Sequence, residues 1–354
     1  MKSEIFKNLF VLEIANNHWG DVKRGLKIIN DHADVVEKNG IHAAIKLQLR
    51  DIDTFVHSAQ QENKLEKGAA EIVVPPGKNS RYVKKTLSTK LTKDELQQLV
   101  NEVKKRGLIA MATPFDEKSV DLCVELGIDV LKIASQDTKA VSLIDKILEA
   151  KIPTAVSNGG TDIEDMDRIV ELFEKKGVPL AVNHCVSLYP SENSDLHLSQ
   201  IDFLVKRYPN NVIGLSTHEY NDWVTSVTIA YAKGARTFER HVDIDADGIT
   251  VSKYCSLPEQ VDTWFKAFLL AKEMVGDGEG ARNIPQKERD YIQSVSRGMY
   301  AKKDLEKGHV LTKESLDEDF YFAIPLEDNQ YSARELGEEV TLKESVKKDQ
   351  PIFK

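Results

Sequence analysis

The chain has 354 residues, of which 41% are hydrophobic and 30% charged. That is an ordinary globular balance, and it excludes wholesale disorder, a collagen-like repeat and a disulfide scaffold. Its 48 basic and 57 acidic side chains leave a net charge of −9, which argues against nucleic acid or an anionic membrane as the main partner while leaving room for a local pocket that takes a small anion.

The N-terminal stretch MKSEIFKNLFVLEIANNHWG holds only a short apolar run, broken by Glu13, and makes a poor signal peptide. From there to about residue 275 the sequence alternates short β-branched apolar runs with amphipathic helical stretches, the signature of βα units. Eight runs read as strands: 10–15, 43–48, 108–113, 130–134, 154–157, 180–184, 212–216 and 237–240. Helical patterns between them include 93–106, where Thr92 can cap and Glu95 completes a capping box, and 162–176. Eight such units fit an α/β fold of the (β/α)8 TIM-barrel type better than an open doubly wound sheet, and no glycine-rich dinucleotide fingerprint follows the first strand. The connection 50–91, with its VVPPGKNSRYVKK, is too long for a plain helix and is expected to fold over one end of the barrel. Residues 1–275 form the predicted barrel, 276–295 a Gly- and charge-rich linker with a short helix, and 296–354 a small, mostly β domain. Cys123, Cys185 and Cys255 are too few and scattered for a disulfide framework and suit a reducing compartment. No stretch approaches the roughly 18 apolar residues of a membrane span, so a cytoplasmic protein without a membrane partner is expected.

A barrel places its chemistry at the C-terminal ends of its strands. Here every predicted strand ends in polar or ionisable residues, from Glu13-Ile-Ala-Asn-Asn-His18 to Glu239-Arg-His241. Lys46 and Lys132 lie inside otherwise apolar strands. A lone lysine there usually snorkels outward, but two near one mouth are better explained by a buried anion. Thr113, Ser135, Ser157 and Ser216 add hydroxyl donors suited to phosphate or carboxylate. His218 and His241 end neighbouring strands; by spacing alone they fit equally a shared divalent cation or two imidazoles that are merely hydrogen-bonded. Glu13 reads either as a group that moves a proton near such a cation or as a salt-bridged strand-end acid.

The segments EIANNHWG, KLQ, TPFD, KIASQD, VSNGG, HCVSLYP, GLSTHE and ERHVDID occur in the order seen in the sialic acid synthase (N-acetylneuraminate synthase) family, and the tail SRGMYAKKDLEKGHVLTKESL resembles that family's antifreeze-like (SAF) domain. Any one motif is weak; their joint order is specific. The resemblance implies a condensation of phosphoenolpyruvate with an aldose, releasing phosphate and forming a nonulosonic or related 3-deoxy-2-keto acid. It implies that Lys46, Thr113, Lys132, Ser135, Ser157, Ser187 and Ser216 hold phosphoenolpyruvate with Gln48 in support, and that His218 and His241 ligate Mn²⁺ or a similar cation such as Mg²⁺ or Co²⁺. Glu13, Asp137 and Tyr189 would be the catalytic residues, facing the sugar and the cation. It also implies a homodimer in which the small domain caps the partner's barrel.

Two departures bear on the sugar. Ser252 stands where the family has an acidic residue, and Phe320 falls near the position of a basic one. Both touch sugar recognition and spare the anion and cation positions, so the expected chemistry is kept and the expected sugar is N-acetylmannosamine-like or a related aldose. Rival readings are a 3-deoxy-octulosonate-type synthase, set apart by an added sugar-phosphate site; a non-catalytic sugar-binding barrel; and a Schiff-base aldolase using Lys132.

Overall fold

A computed structural model describes residues 4–58, 81–276, 280–337 and 339–354. The first part of the expected cover over the barrel is short: α2 (Ile52–Phe55) leads into it and α3 (Arg81–Ser88) follows it, while the VVPPGKN segment lies outside the described residues. The chain divides into two compact units, Met1–Gly276 and Asp277–Lys354.

The first unit is a closed α/β barrel. Its strands are β1 (Leu9–Ala15), β2 (Ala43–Leu49), β3 (Ile109–Pro114), β4 (Val130–Ile133), β5 (Thr154–Ser157), β6 (Leu180–Cys185), β7 (Val212–Thr217) and β8 (Thr237–Val242). They pair in sequence order, and β1 pairs in parallel with β8 to close the ring. Every expected strand is present, most of them a residue or two longer than the apolar run. A short ninth strand, β9 (Cys255–Ser256), adds to the outside of β8, with Cys255 opposite His241. The helices between strands are α1 (Val22–Asn39), α4 (Lys93–Lys105), α5 (Glu117–Leu126), α6 (Val141–Ala150), α7 (Ile163–Lys176), α8 (Gln200–Arg207), α9 (Thr225–Ala232) and α10 (Pro258–Val275). The Thr92–Glu95 capping box forms as expected, with the Thr92 side chain accepting from the Glu95 backbone and the Glu95 carboxylate from the Thr92 backbone.

Strand alternation explains where the chemistry sits. Successive side chains point to opposite faces, so one set on each strand faces the helices and the other fills the barrel. The outward set joins Phe10, Leu12, Ile45, Leu47, Val182 and Phe238 to the apolar helix faces. Leu9, Val11, Ala44, Met111, Val130, Ala155, Ala181 and Val212 form a separate apolar cluster across the N-terminal half of the barrel. Further along the strands the same face turns polar: Glu13, Lys46, Thr113, Lys132, Ser157 and Asn183 lie two residues beyond an apolar member, Ser216 lies four beyond Val212, and Glu239 follows Thr237 on β8, all buried. Gly214 marks a tight spot in this wall. A Cβ there would meet Thr237 Oγ1 at 1.8 Å and Asn183 Oδ1 at 2.4 Å, so the absent side chain makes room for the hydrogen bond that Thr237 donates to Asn183 (2.7 Å).

The second unit contains α11 (Gln286–Val295) and two small antiparallel pairs, β10 (Gly298–Ala301) with β12 (Phe320–Ala323) and β11 (Val310–Leu311) with β13 (Val340–Thr341). Met299, Ala301, Leu305, Leu311, Phe320, Val340, Leu342 and Ile352 make its core.

Candidate functional site

At the polar end of the barrel, charges cluster. Lys46 Nζ lies 2.6 Å from Glu13 Oε2 and 2.8 Å from Glu239 Oε1, and Lys132 Nζ lies 3.1 Å from Glu239 Oε2. Ser216 Oγ donates to Glu239 Oε1 (3.2 Å). All four ionisable groups are buried. The lysines therefore face inward rather than snorkelling, and their counter-charges are the chain's own Glu239, shared by both, and Glu13 on Lys46. This residue was missed as a site residue because a strand-end acid looks alike whether it faces a helix or the barrel; its i, i+2 spacing to His241 was the available signal.

Four charges in one dry space do not titrate alike. Burial alone would lower Lys46, but the flanking carboxylates of Glu13 and Glu239 outweigh it and hold its ammonium charged. Burial opposes ionisation of Glu239, yet Lys132 and Lys46 together pull its carboxyl well below the usual range. The outer members are softened in the opposite sense. Burial raises Glu13 against the pull of Lys46 and lowers Lys132 against the pull of Glu239. Burial and the neighbouring charges thus act in opposite senses on the members of one cluster.

The serines gather on one side. Ser135 Oγ accepts from the backbone N–H of Gly159 (3.0 Å), and a Cβ on Gly159 would lie 2.1 Å from Ser187 Oγ. Glycine at that position lets the loops after β4, β5 and β6 meet. Among the described residues, the buried Ser157 hydroxyl has no hydrogen-bond partner, nor does Asp137 Oδ2. Burial, opposed by Arg50, pushes Asp137 up to about 6. Thr113 is buried opposite Gln48 in the β2–β3 register. Gln48 accepts from Arg50 Nη2 (2.7 Å) and, with Asn16 and His18, lines a cavity of about 270 Å³ to the side of the mouth.

His218 and His241 converge, their ring centroids 5.4 Å apart. His218 Nδ1 is 2.9 Å from the Val186 carbonyl. That contact requires N–H at Nδ1 and leaves the Nε2 lone pair available. Burial and the neighbouring His241 push His218 down to about 3, so it is neutral near pH 7. Tyr189 lies over the pair, 4.0 Å from His218 and 6.0 Å from His241. Among the described residues no group of three His, Cys, Asp or Glu side chains is placed to hold a metal ion. The imidazoles could thus supply two ligands and leave the remaining positions to water or substrate oxygens.

The imidazole pair is braced from behind. Arg240 Nη1 donates to Glu219 Oε1 (2.7 Å) and to the Asp222 carbonyl (3.2 Å), Nη2 to the Glu219 carbonyl (2.7 Å), and Nε to Ser256 Oγ (3.1 Å). Thr217 and Ser226 hydroxyls also donate to the Glu219 carboxylate. Each member of this buried ion pair adjoins one histidine in sequence, so it fixes the ends of β7 and β8 together. Sequence reading did not single out either residue.

Two expected sugar contacts stand differently. Ser252 is buried beside β9, its carbonyl accepting from Cys255 N–H (2.9 Å). Phe320 is 1% exposed and packs edge-on against Phe322 within the second unit's core. A ring spent in that core has no surface to offer a sugar, which corrects the expectation for Phe320.

Known proteins share this chain's fold and family. Residues 34–279 match the profile described as the NeuB family. A crystal structure of a Chromobacterium violaceum protein assigned to spore coat polysaccharide biosynthesis (protein E) is 34% identical, with a TM-score of 0.86 and 98% of each chain covered. An N-acetylneuraminate-9-phosphate synthase of Drosophila melanogaster is 29% identical over 71% of this chain and 64% of its own. A pseudaminic acid synthase of Campylobacter jejuni is 26% identical over 88% of this chain and 86% of its own.

Proposed function

Because the chain belongs to the NeuB family, we propose that it condenses phosphoenolpyruvate with an aldose to give a nonulosonic or related 3-deoxy-2-keto acid and phosphate. It is an enzyme of the carbon–carbon bond-forming transferase class, as its synthase relatives are. The observation that carries the reading is the pair of buried ammonium groups, Lys46 and Lys132, meeting on Glu239 two residues along β8 from His241. An anion bound there lies beside the imidazole pair.

Lys46 and Lys132 bind the phosphate and carboxylate of phosphoenolpyruvate, with the hydroxyls of Thr113, Ser135, Ser157, Ser187 and Ser216 as further donors. The unpartnered Ser157 hydroxyl supports this, since a buried donor without a partner is costly unless a ligand satisfies it. His218, neutral and with its Nε2 lone pair available, and the adjacent His241, with no group of three His, Cys, Asp or Glu side chains placed to hold a metal ion among the described residues, fit an open site for Mn²⁺, or for Mg²⁺ or Co²⁺. When bound, such a cation supplies Lewis-acid polarisation of the aldehyde oxygen.

The bond-forming step joins C3 of phosphoenolpyruvate to the aldehyde carbon, whose oxygen takes up a proton. Water then adds at C2, giving up a proton, and the adduct expels phosphate to leave the ketone. Glu13, raised by burial and accepting from the Ala15 N–H, is the group read as taking the water's proton. Asp137 and Tyr189 face the sugar, with Gln48 on the adjoining wall. Holding both reactants in register contributes as much as any single charge. The second unit is read as an SAF-type cap belonging to a domain-swapped homodimer.

The test is a panel of aldoses incubated with phosphoenolpyruvate and Mn²⁺, scored by phosphate release and product mass. Stoichiometric phosphate with a product heavier than the aldose by the added pyruvyl unit is expected. No phosphate release with any aldose would sink the reading.

A further inference from the structure

A second cluster of positive charge lies apart from Lys46 and Lys132, on the flank of the barrel. The cavity of about 270 Å³ reached by Gln48 is walled by the chain after β2, the α3–α4 junction and the start of α5. Four cationic side chains line it, Arg50, Lys90, Lys93 and Lys118, against one carboxylate, Asp51. Lys118 pairs with Asp51 (2.6 Å), Lys93 with Glu125 (2.5 Å) and Lys90 with Asp53 (3.5 Å). All three lysines are exposed, and exposed pairs of this kind hold weakly, so the ammonium groups can turn to another anion. Arg50 is fixed instead: its guanidinium lies 3.8 Å from the Phe115 ring centroid and donates to Gln48 Oε1 (2.7 Å).

The wall also holds neutral donors. His18, 4% exposed, lines the cavity, and its Nδ1 accepts from the Gly20 backbone N–H (3.1 Å). The ring proton therefore sits on Nε2, which has no hydrogen-bond partner among the described residues. Burial, with Lys85 and Arg50 beside it, lowers His18 to about 4, so the ring presents an N–H and no charge. Thr86 in the same wall is buried, and its hydroxyl has no partner among the described residues. A buried donor left so is costly unless a ligand satisfies it. Cations set around neutral N–H and O–H donors match an oxyanion with several acceptor oxygens. The volume falls just below the usual range of small-molecule sites, which suits a phosphate group carrying few carbons better than a nucleotide. We infer that this cavity is a second anion site, which takes inorganic phosphate or a small phosphomonoester. It uses neither of the buried lysines and does not depend on the condensation reading.

The test uses the full chain with inorganic phosphate as the probe. Calorimetry should find one phosphate fewer per chain in Lys90→Gln with Lys118→Gln than in the wild type, with circular dichroism showing both proteins folded alike. Lysine acetylation read by mass spectrometry gives the location: phosphate should slow labelling of Lys90, Lys93 and Lys118 while leaving the exposed Lys175 and Lys176 of α7 unaffected. Glycerol 3-phosphate separates the two sources. If it displaces the phosphate, the ligand is an ester; if the phosphate stays, the ligand is the free anion, and the site stands in either case. Equal phosphate stoichiometry in the two proteins, or labelling of the cavity lysines slowed no more than that of Lys175 and Lys176, overturns the inference. No readout here involves turnover, so that outcome leaves the condensation to its own phosphate-release assay, and a failed condensation leaves the cavity site standing.

Discussion

At the scale of single residues, the site is defined by charges that can neither leave nor be hydrated. Glu239 serves two ammonium groups at once, so Glu239→Gln leaves a buried surplus of positive charge. Removing one partner of a buried pair costs about 3–5 kcal/mol; urea unfolding should show a loss on that scale, and adding Lys132→Met should recover part of it. Asp137 offers a pH test. Its pKa is raised to about 6, so between the ordinary aspartate value and about 6 the folded state binds more protons than the unfolded one. Stability conferred by that site therefore falls as pH rises through this window. Asp137→Asn should be more stable than the wild type at pH 7.5, with the advantage gone below pH 4, as thermal melts across pH would show. If Asp137 acts ionised, the same variant loses an acid limb near pH 6 in kcat/KM. The lysines were legible because a charge inside an apolar strand stands out. Glu239 was not, because which acid answers a buried lysine depends on barrel closure. Phe320 misled for a related reason: position along a motif does not say which face of a strand a side chain takes.

At the scale of elements, the strands were readable because β-branched runs bounded by polar clusters have few alternatives. β9, two residues long, carries no periodicity to read, yet it sets Cys255 opposite His241. The Arg240–Glu219 pair ties β7 to β8 directly behind the histidines. Arg240→Met strands Glu219 without its partner and should cost several kcal/mol, whereas the double change Arg240→Met with Glu219→Gln should be milder in chemical denaturation. Mn²⁺ titration by electron paramagnetic resonance should show weaker binding in both, because the brace spaces the imidazoles. Gly214→Ala drives a methyl group into Thr237 and Asn183. A loss of about 1–3 kcal/mol is expected from such overpacking, with the barrel's circular dichroism retained.

At the scale of the molecule, the ring closes within Met1–Gly276, and every lysine, histidine and serine of the proposed site lies in that unit. A chain ending at Gly276 should unfold cooperatively and bind phosphoenolpyruvate within a few-fold of the full-length affinity by calorimetry; a much larger loss would mean the second unit contributes to the anion site. The layering of the barrel interior has a kinetic corollary. The apolar layer of Leu9, Val11, Met111 and their neighbours fills the far end, so among the described residues the polar face opens only toward the C-terminal ends of the strands. Glu239 lies two residues, about 7 Å, deeper than His241 along the same strand. On the proposed reading, the enolpyruvyl anion should enter before the sugar, and initial-rate plots should take the pattern of an ordered queue rather than a random one.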